Sequence, residues 1–238
     1  MAVSGGNEQT SRRGGPVSLT SERLDRTPLG QRIADALRHD ILFGRLAPGT
    51  KLAQTQVCER FGTSRMPVRD ALRQLTYEGF LTGDGGGHSV VAPLRRHDIE
   101  DSFLIEGQLH GIATRRVAER ADPAHLAELA ERHAQMCGAA EDAQLAADLN
   151  WHLHRRINQM AQSRRLIVAL RALAVTIPRD LLLEFPQWID RANDEHAQII
   201  AAIAAGRGEQ AAGLMRDHVA EAGRDLVRYL EKKGVDLT

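Results

Sequence analysis

The feature that most constrains this chain is the stretch QTQVCERFGTSRMPVRDALRQLTYEGFL at residues 54–81. Its pattern predicts a short helix over residues 54–61, a break at Gly62-Thr63 and a second helix over residues 64–78. Glycine readily adopts the left-handed backbone conformation that ends a helix abruptly. The stretch therefore predicts two helices joined by a tight turn and followed by a strand.

The second of these helices has two faces of different composition. Ser64 is expected to cap it, and Pro67 falls in its first turn, where the missing N–H has no helical partner. One face is apolar and would anchor the helix, with Val68, Ala71, Leu72 and Leu75. Another face is basic, with Arg65, Arg69 and Arg73 spaced four residues apart. An anchored helix with a basic outer face is suited to the major groove of DNA, so the stretch predicts a helix-turn-helix.

The residues around this motif predict a winged domain over residues 27–93. Apolar residues at helical spacing predict a preceding helix from near Pro28 to about Phe43. After the motif, two short β segments surround a glycine-rich tip at residues 84–88, which predicts a β-hairpin, the wing of a winged helix-turn-helix. Residues 1–26 are rich in Gly, Ser and Thr, and we expect them to form a disordered arm.

Beyond a short linker at residues 94–97, only helical patterning is present. Residues 98–232 are rich in Ala and Leu, and aromatic residues make up 4% of the chain. This composition predicts an antiparallel all-α bundle, followed by a tail at residues 233–238. The fold class is therefore mainly α. No apolar run reaches the length of about 20 residues that a membrane span requires, and a signal-peptide core is lacking, so the expected compartment is the cytoplasm.

Taken together, these motifs resemble those of a known family. The order LAPGTKL, GTSRMPVRDALRQLTYEGFL, wing and all-helical half is similar to the GntR family of bacterial transcription regulators. The second half resembles the FCD (FadR C-terminal type) domain of that family, and the resemblance spans about residues 28–232. It implies a homodimeric, sequence-specific DNA-binding regulator that binds a palindromic operator and is not an enzyme. It also implies that the C-terminal domain forms the dimer and binds a small-molecule effector of the carboxylate type.

The resemblance assigns DNA contacts to the helix-turn-helix and to the wing. The chain has 31 basic and 31 acidic side chains, so the prediction depends on where the arginines lie rather than on net charge. In the family, the positions of Ser64, Arg65 and Arg69 contact bases and phosphates, and a guanidinium group matches either with two hydrogen bonds. Arg73 is open to a phosphate contact or to a salt bridge. The full predicted set is Thr55, Thr63, Ser64, Arg65, Arg69, Arg73, Gly86 and His88, in which Thr55 stands where some members carry an arginine.

Four residues of the C-terminal half share a geometric relation. Asn150 and His154 lie four apart on a predicted helix, so both side chains leave the same face. His196 and His218 each lie ten residues from a glycine of the break at residues 206–208. If the two helices form an antiparallel hairpin, both histidines lie about 15 Å from the turn and can face each other.

This set of residues predicts a metal site. Three imidazoles and one amide oxygen inside a bundle suit a divalent transition ion such as Zn²⁺ or Ni²⁺. Many FCD domains hold a metal with three histidines and an Asp or Asn, and the resemblance maps these ligands to Asn150, His154, His196 and His218. Asn150 stands where Asp is frequent, and Asp148 would replace it if the helix register shifted. The alternative is that the histidines are core residues that hydrogen-bond to one another or to water.

Glu106 and His110 are the expected further lining of an effector pocket. Many relatives carry an arginine near position 106 that pairs with an acidic ligand, and this chain has Glu106 instead. Two other functions remain open from the sequence. A metal-dependent enzyme would use the histidine cluster with Glu106 or Asp148 as general base, and a helical interaction module would carry a vestigial helix-turn-helix.

Overall fold

A computed structural model describes residues 28–83, 88–173, 183 and 188–237 of the chain. The predicted arm at residues 1–26 lies outside the described residues. The N-terminal elements are α1 (Leu29–Leu42), β1 (Lys51–Leu52), α2 (Gln54–Phe61), α3 (Arg65–Tyr77), β2 (Leu81–Gly83) and β3 (Ser89–Val91). The two helices of the predicted helix-turn-helix are α2 and α3, and both are confirmed.

The helix-turn-helix packs on α1. Gly62 has a φ of 60° and ends α2 in the left-handed conformation. The buried Arg38 of α1 donates a hydrogen bond of 2.7 Å to Glu78, which follows α3. Ser64 is the N-cap residue of α3, as predicted, and has an extended conformation, but its side chain makes no capping hydrogen bond. The face of α3 that packs inward is the predicted one, with Val68, Ala71, Leu72 and Leu75 buried.

The wing belongs to a three-stranded antiparallel sheet with the order β1-β3-β2. The predicted hairpin is formed by β2 and β3, with Leu81 opposite Val91. On its other side β3 pairs with β1, where Leu52 lies opposite Ser89. β1 was not predicted, because a two-residue strand beside a turn has no periodicity of its own. The tip of the wing, residues 84–87, lies outside the described residues.

The C-terminal domain is the predicted all-helical bundle. Its described helices are α4 (Arg96–Arg120), α5 (Pro123–Gly138), α6 (Ala143–Met160), α7 (Arg164–Leu173), α8 (Trp188–Ala204) and α9 (Gly208–Lys232). α4 begins at Arg96, so its first two residues lie within the span predicted as a linker, residues 94–97. Within the predicted tail, Val235 and Leu237 pack against the domain core.

Small residues let α4 and α9 approach each other closely. A Cβ atom on Gly107 of α4 would lie 3.1 Å from the backbone oxygen of Arg216 on α9. A Cβ atom on Gly223 of α9 would lie 2.6 Å from the ring of Phe103 on α4. The lack of a side chain at Gly107 and Gly223 therefore allows α4 and α9 to pack closely side by side. None of the described helices is long and apolar enough to cross a membrane.

Candidate DNA interface and metal centre

α3 presents a cationic ridge, formed by Arg65, Arg69 and Arg73, to solvent. All three side chains are exposed. Within the described part of the chain, none of the three guanidinium groups forms an ion pair. The salt bridge that the sequence left open for Arg73 is therefore not formed among these residues. By contrast, Arg60 of the neighbouring α2 is paired with Asp40 at 2.5 Å. The ridge is accessible along its length.

The other predicted DNA-contacting residues border this ridge or belong to the wing. Ser64, the N-cap of α3, and Thr55, the second residue of α2, are exposed, and Thr63 is half-buried in the turn between the two helices. His88 is exposed just before β3. Gly86 lies outside the described residues. The absence of a capping hydrogen bond at Ser64 leaves its hydroxyl group and the first N–H groups of α3 available to an external anion.

Helices α6, α8 and α9 bring three histidines together inside the C-terminal domain. His154 Nε2 lies 3.0 Å from His196 Nε2 and 3.1 Å from His218 Nε2. The ring centroids of His196 and His218 are 4.4 Å apart, in the facing arrangement that the hairpin geometry predicts. His196 and His218 are buried, and His154 is half-buried. All the ligand nitrogens of this histidine cluster lie within 4.8 Å of one another, so the cluster is able to hold a metal ion.

The donor atoms fit a zinc-sized ion. Tetrahedral Zn²⁺ with Zn–N bonds of about 2.0–2.1 Å separates its nitrogen ligands by about 3.3 Å. The two observed separations, 3.0 and 3.1 Å, are close to that value. Asn150 lies one turn before His154 on α6, and its buried Oδ1 atom has no hydrogen-bond partner among the described residues. A buried amide oxygen without a partner, one turn from a converging imidazole, is suited to be the fourth ligand.

Glu106 and His110 approach the histidine cluster from α4. The His110 ring lies edge to face with that of His154, with centroids 5.1 Å apart. Glu106 Oε1 lies 3.4 Å from His110 Nε2, and His110 Nδ1 is buried without a partner among the described residues. The predicted pocket residues and the predicted ligand His154 are thus in one place. Asp148 instead accepts a hydrogen bond of 3.5 Å from Gln144.

Glu195 is a further residue of this site that was not predicted from the sequence. Its Oε2 atom lies 2.6 Å from Nδ1 of His218. Arg191 holds the same carboxylate with hydrogen bonds of 2.9 and 3.0 Å. The signal in the sequence was weak, because an acid next to His196 is common on a helix surface. Only the packing of α8 against α9 shows that Glu195 reaches His218.

Burial favours the uncharged form of two histidines of the cluster, His154 and His196. Burial, with repulsion from His218, His110 and His196, holds the pKa of His154 well below its usual value. Burial likewise lowers the pKa of His196, with smaller contributions from His218 and His133. Burial acts to raise the pKa of Glu195, but hydrogen bonds from His218 and Arg191 outweigh it and the pKa is lowered. Neutral imidazoles are the form that binds a metal.

A cavity of about 390 Å³ lies between α8 and α9, on the outer side of His218. Glu106 and His110 do not line it. Its walls combine acids and arginines, and they include His218 of the histidine cluster together with its hydrogen-bond partner Glu195. The lining residues are Arg191, Glu195, Gln198, Leu214, Asp217, His218, Glu221 and Arg224.

Comparison with known proteins assigns each half of the chain. The family described as "Bacterial regulatory proteins, gntR family" matches residues 29–91, and the FCD domain matches residues 103–221. The chain is 30% identical over 209 residues to the probable D-xylose utilization operon transcriptional repressor of Paenarthrobacter nicotinovorans, covering 86% of this chain and 91% of that protein. It is 26% identical over 216 residues to the HTH-type transcriptional repressor RspR of Escherichia coli K12, covering 88% and 93%.

Solved structures share the fold. The structure of E. coli McbR/YncC aligns with a TM-score of 0.62 at 21% identity, covering 86% of this chain and 99% of that one. The helix-turn-helix, the three-stranded sheet and the helical bundle lie where the two family matches place them. The chain therefore belongs to the GntR family of bacterial transcription regulators, with a C-terminal FCD domain.

Proposed function

We propose that the protein is a homodimeric, sequence-specific regulator whose operator affinity responds to a small carboxylate effector at a metal centre in the FCD domain. The observation that supports this best is the presence, in one chain, of an accessible cationic ridge and three converging histidines. A metal-dependent enzyme is not favoured, since the family matches and the named relatives are transcription regulators. The accessible ridge also argues against a vestigial helix-turn-helix.

The cationic ridge supports reading of the major groove. In this proposal Arg65 and Arg69, on the first two turns of α3, contact bases, and Ser64 contacts a phosphate at the start of the helix. Because neither arginine is held in an ion pair among the described residues, no such bond has to break before DNA is bound. The remaining contacts are proposed for Thr55, Thr63, Arg73, Gly86 and His88.

An apolar stripe on α4 supports the homodimer. Leu104, Ile105 and Ile112 are large apolar residues, yet they are 49%, 52% and 38% exposed. At 100° per residue they lie on one side of the helix. We assign this stripe to a second copy of the chain, because two symmetric recognition helices double the contact with a palindromic operator.

The histidine cluster supports the metal and the effector. His154, His196 and His218 would hold Zn²⁺ or Ni²⁺ through Nε2, with Asn150 Oδ1 as a fourth ligand. All four ligands are neutral, so a bound ion would retain its positive charge and attract a carboxylate. Glu106 and His110 would border that effector on the side of α4.

The path from the metal centre to DNA would run along α9. His218 lies on this helix, and Tyr229, in the last turns of the same helix, is roughly 16 Å from it along the axis. Phe43, which directly follows α1, packs against the core of each domain. An effector that prefers one position of α9 would therefore favour one placement of the DNA-binding domain, which is the differential binding that allostery requires.

The direct test is elemental analysis of the purified full-length protein. We expect about one Zn²⁺ or Ni²⁺ ion per chain, and we expect His196→Ala and His218→Ala each to lower that ratio and the melting temperature. His152→Ala is the matched control, because His152 is an exposed histidine two residues from His154. Unchanged metal content in both cluster variants would end the metal proposal. A thermal-shift panel of small carboxylates, with and without metal, then tests the effector class.

A further inference from the structure

Glu195 connects His218 to Arg191, whose guanidinium group bridges α8 and α9. The carboxylate accepts a hydrogen bond of 2.6 Å from His218 Nδ1. It also accepts two hydrogen bonds from Nη1 of Arg191, one turn earlier on α8. The other terminal nitrogen of Arg191 donates to Asp225 on α9. Glu195 is thus held in place by Arg191 on one side and His218 on the other.

The contact determines which nitrogen of His218 carries the proton. An ionised carboxylate only accepts hydrogen bonds, so the neutral imidazole must carry its hydrogen on Nδ1. Nε2 is then left with its lone pair. That atom is the one that lies 3.1 Å from His154 Nε2, inside the histidine cluster.

We propose that Glu195 is a positioning residue for the metal centre: it fixes the Nδ1–H tautomer and the ring orientation of His218, while Arg191 fixes Glu195. This inference rests on the metal site of the proposed function. Glu195 also places a negative charge next to the proposed ligands. The ligands themselves carry no negative charge, because Asn150 occupies the place of a carboxylate. Partners of this kind typically raise the basicity of a ligating imidazole.

The contact with an acid is specific to His218, as a comparison with the buried His196 shows. His196 Nδ1 is buried and has no hydrogen-bond partner among the described residues. His218 is therefore the ligand whose tautomer is set by an acid, and Glu195 is the residue that sets it. Glu221 lines the same cavity but is paired with Arg224 and Arg228 and has no histidine contact among the described residues. It offers a matched control.

The experiment compares Zn²⁺ affinity in metal-depleted full-length protein by competition with a chelating dye. Glu195→Ala is expected to weaken Zn²⁺ binding by about 10- to 100-fold, the usual effect of removing such a partner. Glu195→Gln keeps an acceptor but loses the charge, so a smaller loss is expected. Glu221→Ala removes an acid from the same cavity and should bind Zn²⁺ like the wild type.

A second measurement reads the tautomer itself and does not need the variant to fold. Long-range ¹H–¹⁵N spectra of the metal-free wild type should show His218 with its hydrogen on Nδ1. In a folded Glu195→Ala protein, the Nε2–H form should become populated, which a purely structural salt bridge would not cause.

The outcomes separate the two claims. Wild-type affinity in Glu195→Ala, or an Nε2–H tautomer of His218 in the wild type, would overturn the role of Glu195 while the metal proposal stands. A wild-type protein that binds no Zn²⁺ at the cluster would overturn both.

Discussion

The rings of Phe43 and Tyr229 meet edge to face, with centroids 6.1 Å apart and planes at 77°. Phe43 directly follows α1, and Tyr229 lies in the last turns of α9. The pair therefore joins the DNA-binding domain to the helix that carries His218. Aromatic pairs in this geometry contribute about 0.5–1.5 kcal/mol beyond the burial of their surface.

Removing one ring of this pair should loosen the domain contact. For Phe43→Ala we expect faster amide hydrogen exchange at the C-terminal ends of α1 and α9, because each loses its packing partner. The residues of the histidine cluster should exchange as before. Tyr77→Ala is the control, since Tyr77 is 85% exposed on α3. Identical exchange in Phe43→Ala and the wild type would show that the contact does not hold the domains together.

The cationic ridge should carry the DNA affinity. Arg65→Ala and Arg69→Ala should each weaken binding to an operator by about 1–3 kcal/mol, since each removes a base or phosphate contact. Mobility shifts on a fragment that the wild type selects from a random library provide the measurement. Arg164→Ala, an exposed arginine on α7, should bind DNA normally. Wild-type affinity in both ridge variants would contradict the assignment.

The apolar stripe on α4 should control the oligomeric state. Leu104→Glu combined with Ile112→Glu places two charges in the proposed interface, where desolvation and repulsion oppose association. Light scattering after size exclusion should show a monomer for this variant and a dimer for the wild type. Val168→Glu, at an exposed apolar position on α7, serves as the comparison. If the double variant stays dimeric, the interface lies elsewhere.

The metal-free protein should lose stability in mild acid. The pKa values of His154 and His196 are depressed in the folded state, mainly by burial. The unfolded chain therefore binds more protons below the ordinary histidine pKa of about 6.5. The contribution of these two histidines to stability should be constant above that pH and should fall as the pH drops below it.

Urea denaturation measures this effect. Between about pH 7.5 and about pH 5.5, where carboxylates stay ionised, the midpoint should fall for the metal-free wild type. It should fall less for a variant with His154→Gln and His196→Gln. Equal drops in both proteins would mean that these two histidines are protonated alike in the folded and unfolded states.

The close contact of α4 and α9 should not tolerate a methyl group at Gly223. A Cβ atom there would lie 2.6 Å from the ring of Phe103, so Gly223→Ala should destabilise the fold by about 1–3 kcal/mol. Gly138→Ala, at the end of α5, meets nothing within 4 Å and should be neutral or slightly stabilising. Thermal unfolding of both variants gives the comparison. An unchanged melting temperature for Gly223→Ala would show that Phe103 moves aside without cost.

Features encoded by neighbouring residues were predictable. The break at Gly62 and the arginine spacing on α3 follow from backbone freedom and helical period, which depend on local sequence alone. The contact between His196 and His218 was predictable because each lies ten residues from a glycine of the same turn, at residues 206–208. The wing hairpin was predictable for the same reason, although its third strand was not.

Contacts between elements that are distant in the chain were decided by the tertiary structure. Three such features depend on how helices are placed against one another: the bond from His218 to Glu195, the lack of an ion pair at Arg73 among the described residues, and the contact of Phe43 with Tyr229. No periodicity records that placement, because it results from the packing of whole faces. Sequence alone thus determined which helices form and which side chains share a face, and packing determined which of those faces meet.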